Sequence, residues 1–169
     1  MMRLPRHRRA GFSLIEVSLS TLFVGVMLAT SMRTVGSVLS QRTRTAVDAR
    51  AQQAARQLLT EILARDYVEP TQTPVFGRES SEAASRSGFD DVDDYHLWDE
   101  TPPTDRAGVA LTGLTGWRRK VTVAYVSPAN PDTTSGTDQG TKRIIVEAYE
   151  NSTLRATVRA VKCSGWPRK

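Results

Sequence analysis

Cysteine is nearly missing from this chain: Cys163 is the one thiol in 169 residues. A single cysteine excludes an intramolecular disulfide framework and any zinc site built from several thiolates. Histidine is almost as scarce. His7 and His96 are the only two, which leaves little material for general acid–base chemistry. Outside the basic leader, which holds His7, a thiol–imidazole pair would have to join Cys163 to His96, 67 positions apart, and such a pair is defined by geometry that spacing does not supply. No enzymatic activity is expected. Excess charge is also missing from the body of the protein. The formal +5 rests on Arg3, Arg6, Arg8 and Arg9; without residues 1–11, 19 basic residues face 18 acidic ones, a balance of +1. A near-neutral body carries no nucleic-acid footprint. The length suits one compact domain with an appendage and leaves no room for a large two-domain enzyme.

Residues 12–32, FSLIEVSLSTLFVGVMLATSM, contain one charge, Glu16, in 21 positions. A helix of that length spans roughly 32 Å, enough for a bilayer core. The hydroxyls of Ser13, Ser18, Ser20, Thr21 and Thr30 can return to the helix backbone and weaken the apolar signal without cancelling it. A cleaved secretory signal would have a shorter apolar run and a small-residue cleavage site after it. A plain signal anchor fits the length but has no use for a carboxylate near its start. Such a charge costs about 2.5–3.5 kcal/mol deep in the membrane and less at the interface. Arginines stand on both sides of the run, four before it and Arg33, Arg42 and Arg44 after it, so charge only leans toward a cytoplasmic N-terminus.

The string Gly11-Phe12-Ser13-Leu14-Ile15-Glu16-Val17, behind a basic leader and ahead of an apolar helix, closely resembles the cleavage and methylation motif of type IV prepilins and type II secretion pseudopilins. The resemblance implies that a prepilin peptidase cuts between Gly11 and Phe12 and methylates Phe12, with Glu16 becoming the fifth mature residue. It further implies that the apolar helix remains as a single anchor in the inner membrane, that the C-terminal domain is extracytoplasmic, and that other pilin or pseudopilin subunits are partners. The chemistry has its own logic. A Phe12 amine freed by cleavage is a cation at the positive end of a helix, where a carboxylate is favoured. In a filament that amine could face Glu16 of a neighbour, and a paired buried charge costs far less than a lone one.

No proline occurs between Phe12 and Glu69, and Val47, Ala51, Ala54, Leu58 and Ile62, with Ala55, Leu59 and Leu63 beside them, recur at helical steps. This is a packing stripe. One helix is expected over about 12–67, with soft points at Gly25 and Gly36 and an end at Glu69-Pro70. Residues 68–116 are rich in Pro, Gly, Ser, Thr and Asp and are expected to form a long, partly ordered connection. Within it, FDDVDDYHLWDE places Asp90, Asp91, Asp93 and Asp94 close together. They form a candidate calcium site, because hard cations want several carboxylate oxygens from a flexible loop. The spacing is not that of an EF-hand. The plainer reading is a solvated acidic loop pinned by Phe89, Tyr95 and Trp98. AARQLLTEILARDYVEP and FDDVDDYHLWDE both resemble minor pilin-like proteins of mannose-sensitive haemagglutinin pilus systems, the D-type biogenesis component.

Residues 117–163 read as strands. Val121, Val123 and Tyr125, then Ile144, Val146 and Ala148, then Leu154, Ala156, Val158 and Ala160 each occupy alternate positions, the period of a half-buried strand. Aligning the last two apolar faces predicts 148 opposite 154 and 146 opposite 156 around an odd loop, Glu150-Asn151-Ser152, with Glu147 opposite Arg155. Residues 128–141 are expected as a loop, and 164–169 as a tail. The fold class is α+β: a long N-terminal helix, membrane-spanning over 12–32 and amphipathic over 33–67, packed on an antiparallel meander. The pilin fold implied by the resemblance has the same layout. The expected function is a minor subunit of a type IV pilus-type filament; the alternatives are a minor pseudopilin of a type II secretion system and an anchored cation-binding or adhesive protein. No cofactor is expected other than the calcium of the acidic loop.

Overall fold

The computed structural model describes residues 11–70, 75–78 and 85–165. The leader before Gly11, the last four residues and parts of the expected connection (71–74 and 79–84) lie outside the described residues. The chain forms two compact units, Met1–Thr45 and Ala46–Lys169. One helix, α1 (Leu14–Leu63), contributes to both. It is followed by β1 (Asp99–Glu100), β2 (Trp117–Ser127), β3 (Asn130–Thr134), β4 (Thr141–Glu150) and β5 (Thr153–Cys163). The architecture is α+β, a long N-terminal helix followed by an antiparallel sheet.

In the first unit α1 is exposed throughout, and it runs through Gly25 and Gly36 without a break. The hydroxyls behave as their chemistry demands: Ser18 donates to the Leu14 carbonyl at 2.9 Å, Thr21 to Val17 at 2.8 Å and Thr30 to Val26 at 3.0 Å. The helix is long and apolar enough to cross a membrane, and none of its apolar window is buried.

In the second unit the helical stripe becomes the core. Ala51, Ala54, Ala55, Leu58 and Ile62 are buried, with Val47, Leu59 and Leu63 half-buried beside them. Each fully buried Leu or Ile contributes about 1.5–3 kcal/mol. Burial begins at Val47, so residues 33–45, expected to be part of the packed half, are exposed. The helix also ends at Leu63, short of the expected 67. The reason is tertiary: the Asp66 N–H donates to the Asp90 carbonyl and the Val92 N–H to the Asp66 carbonyl, both at 3.1 Å. This short bridge peels the chain off the helix before Pro70 is reached.

The sheet order is β1-β2-β4-β5, with β3 also paired to β2. Val121, Val123, Ile144, Val146 and Ala148 line its buried face together with Phe89, Val92 and Tyr95 of the connection. Two expectations are corrected here. The 128–141 loop contains β3, which folds back on β2 with Val126 opposite Thr134. The β4–β5 register is shifted: Ala148 pairs with Ala156 and Val146 with Val158, whereas Tyr149 pairs with Leu154 and Glu150 with Thr153. The turn is therefore two residues, Asn151-Ser152. Asn151 takes φ +54°, a conformation asparagine tolerates better than most residues. Such a short turn alone would put the two apolar faces out of phase. A bulge leaves Arg155 as the extra residue and restores the parity. Glu147 accordingly faces Thr157, and Arg155 pairs with Glu150 at 2.8 Å. Gly116 closes the neighbouring corner at φ +79°, where a Cβ would lie 3.1 Å from Asn151 Oδ1.

Candidate functional site

At the start of α1, Gly11 and Phe12 precede the helix and Glu16 stands in its first turn. The N–H groups of Glu16 and Val17 both donate to the Ser13 carbonyl, at 3.0 and 3.1 Å. A carboxylate there sits at the positive end of the helix. Phe12 is 82% exposed. Phe12, Glu16, Ser20 and Val24 follow one another at four-residue steps and, with Val17 and Thr21, line a shallow groove. One carboxylate on an otherwise apolar and hydroxyl-bearing surface can do little catalysis, but it can pair with one cation brought by another chain.

The acidic motif lies in the second unit, and the structure corrects the expectation of a solvated loop. Asp91, Asp93 and Asp94 are 2–3% exposed and Asp90 is half-buried. Asp91 Oδ1 accepts the N–H groups of Asp93 and Asp94 at 2.7 and 3.2 Å, while Asp94 Oδ2 accepts those of Asp90 and Asp91 at 3.0 Å. These two side chains knot the backbone around the 3-10 turn Asp93–Tyr95. Asp93 takes the ammonium of the buried Lys142 on one oxygen and the Gly77 N–H, 3.1 Å away, on the other. Lys142 also donates to the Tyr67 carbonyl and lies 4.5 Å from the centre of the Tyr67 ring. Burial, reinforced by the charges of Asp93 and Asp94, pushes the Asp91 carboxyl up to about 8, against the pull of Lys142 and of the Asp94 N–H. Among the described residues no three His, Cys, Asp or Glu side chains are disposed to hold a metal. Buried carboxylate oxygens left without a hydrogen bond, Asp94 Oδ1 among them, fall well short of the six to eight that calcium takes. Of the four aspartates read from the sequence as candidate ligands, Asp91, Asp93 and Asp94 are occupied in holding the loop.

A second buried polar cluster joins helix, connection and sheet. Arg119 of β2 donates through Nε to Glu100 Oε1 at 2.5 Å, through Nη1 to the Ala54 carbonyl at 3.1 Å and through Nη2 to the Thr104 carbonyl at 2.6 Å. Arg86 donates to Glu61 Oε2 at 2.8 Å and to the carbonyl of Asp105 at 2.7 Å, and its guanidinium stacks 5.9 Å from the centre of the Trp98 ring. The Tyr95 hydroxyl completes the set by donating to Glu61 Oε1 at 2.9 Å. Burial lowers the Arg119 pKa, opposed by the charge of Glu100. At the end of α1, Lys162 of β5 donates to the carbonyls of Leu63, at 3.1 Å, and of Arg65, neutralising the negative end of the helix.

Sequence reasoning missed these cations, although a signal was present. Arg119, Lys142 and Lys162 occupy the same strand parity as the buried Val121, Ile144 and Ala156, so alternation alone points them inward. Arg86 carries no such signal. The remaining candidates are not brought together. His96 Nδ1 accepts the Val123 N–H at 3.2 Å, and burial lowers its pKa. Cys163 is exposed at the end of β5, two strands away from β2. Set against protein-family models, curated proteins and solved structures, the chain matches none of them.

Proposed function

We propose that this chain is a minor pilin-like subunit. It is inserted in the inner membrane through the N-terminal part of α1 and processed by a prepilin peptidase between Gly11 and Phe12. With other subunits it assembles into a type IV pilus-type filament. The observation that carries the reading is the string Gly11–Val17 at the start of a membrane-length helix, with Glu16 in the first turn. The Gly11–Phe12 bond lies outside the helix and is exposed, as a peptidase substrate must be. Beyond it, Leu14, Ile15, Leu22, Phe23, Met27 and Leu28 are each more than half exposed. That much contiguous apolar surface calls for lipid or for neighbouring helices. Cleavage would place the Phe12 amine within reach of a carboxylate from an adjacent copy of the motif, compensating a charge that lipid or a helical bundle penalises. The leader arginines then favour a cytoplasmic leader and an extracytoplasmic sheet domain.

Mass spectrometry of membrane-extracted protein tests the assignment. The expected N-terminus is Phe12, methylated, with Gly11→Val retaining the leader. An intact leader in a cell with an active prepilin peptidase overturns it. The same features suit a minor pseudopilin of a type II secretion system, and isolation of the filament that carries the processed protein decides between the two.

A further inference from the structure

The sheet of the second unit closes one long edge and leaves the other open. Along the outer side of β2, β1 pairs with Arg119 and Lys120, β3 pairs with Val126 and Ser127, and between them Val121 exchanges hydrogen bonds with Leu97 and Trp98 at 3.1 and 2.9 Å. On the other side β5 offers eleven residues, and among the described residues it pairs with β4 alone. An edge strand presents a row of unpaired N–H and C=O groups, which proteins usually blunt with proline, bulges, brevity or charged side chains; on β5 that part falls to its basic residues. β5 contains neither proline nor glycine, and its one irregularity lies near its start, beside Arg155.

Side chains along this edge say what would fit. The buried face of the sheet thins out here: Val146 and Ile144 are fully buried, whereas their partners on β5, Val158 and Ala160, are half-buried. On α1, Leu59 and Leu63 are also half-buried beside the same core. One more strand with apolar residues on that face would extend the core. The opposite face sets the charge. β5 carries Arg155, Arg159 and Lys162 and no acid. Lys162 is turned in to the end of α1 and Arg155 is held by Glu150. Arg159, with a side chain 63% exposed, reaches only Asp132 among the described residues, at 4.0 Å. Two copies meeting edge to edge would oppose cation to cation, which disfavours self-pairing.

We propose that β5 is a strand-addition site for an extended acidic segment of another protein. Apolar side chains of that segment continue the face of Val158 and Ala160, and alternate carboxylates lie on the face of Arg159. The site is independent of the membrane helix and of its processing.

The test uses the full-length protein in detergent and fluorescence anisotropy of labelled peptides of about six residues, the length of an ordinary strand. One peptide alternates Val with Glu, a second alternates Val with Lys, and a third is the Glu peptide with alternate backbone nitrogens methylated. The Glu peptide is expected to bind saturably, and N-methylation to weaken it roughly tenfold or more by removing ladder hydrogen bonds. Arg159→Glu, at an exposed position, should leave thermal stability unchanged and reverse the preference toward the Lys peptide. Equal binding of the methylated peptide means charge attraction without strand addition, and overturns the proposal. So does failure of the Glu peptide to saturate, which makes the arginines a guard against pairing. Self-association strengthened by Arg159→Glu and competing with the peptide would make a second copy the occupant, and overturns it as well.

Discussion

Arg119 in β2 donates from Nη1 to the backbone carbonyl of Ala54 in α1, 3.1 Å away and 65 positions earlier in the chain. The same guanidinium holds Glu100, and both side chains are almost wholly buried. Helix, connection and sheet therefore meet at one charged group inside the core.

Arg119→Met keeps bulk and removes the charge, leaving Glu100 buried without its nearest cation. Breaking a buried pair by removing one partner costs about 3–5 kcal/mol. Removing both partners, as in Arg119→Met with Glu100→Met, should cost clearly less than the sum of the single changes. Urea unfolding of the detergent-solubilised protein, followed through the tryptophans, measures the cycle. Additive costs would mean that the pair contributes nothing beyond its packing.

Asp91 sets the expected response to pH. Its folded-state carboxyl is raised from the ordinary range to about 8, chiefly by burial. Between those limits the folded chain holds a proton that the unfolded chain releases. This contribution is full below the ordinary carboxylate range and is lost as pH climbs through about 8, at a rate of at most about 1.4 kcal/mol per pH unit. Asp91→Asn keeps an oxygen to accept the Asp93 and Asp94 N–H groups and removes the titration. Melting temperature should fall less steeply between about pH 5 and 8 in this variant than in the parent. Parallel curves would show that Asp91 does not titrate in that range.

Calcium should leave the melting temperature unchanged. The oxygens of Asp91, Asp93 and Asp94 already serve backbone N–H groups and Lys142, so a cation would have to displace the ammonium and unpick the turn. A rise in melting temperature with calcium, reversed by chelator, would mean that the motif rearranges into a cation site, following the linkage of binding to stability.

Glu16 separates an anchor from an assembling subunit. For a plain membrane span, replacing the carboxylate with leucine removes an insertion cost of about 2.5 kcal/mol near mid-bilayer and less at the interface. For a filament subunit, Glu16→Leu and Glu16→Gln should both insert normally yet enter filaments at a small fraction of the parental level, since the neighbour's amine loses its counter-charge. The ratio of filament-associated to total membrane protein reads this directly. Parental incorporation of both variants would remove Glu16 from assembly.

Sequence alone determined what repeats at short range. The apolar run from Phe12 to Met32, the stripe from Val47 to Leu63 and the alternation in 120–125, 144–149 and 154–161 are periodicities that backbone geometry enforces residue by residue. The α+β architecture and most of the core were legible from them. The place of Glu16 in the first helical turn followed from the same local geometry. Tertiary structure decided whatever depended on a partner from far along the chain. α1 stops at Leu63 because Asp66 is drawn to the segment around Asp91. The β4–β5 register follows a two-residue turn at Asn151 and a bulge at Arg155, an alternative that parity admits but does not single out. FDDVDDYHLWDE reads as a solvated or cation-binding loop until Lys142 arrives from 49 positions away to meet Asp93. Alternation is a property of one strand, whereas the cost of burying a carboxylate depends on the charges and N–H groups that the fold brings to it.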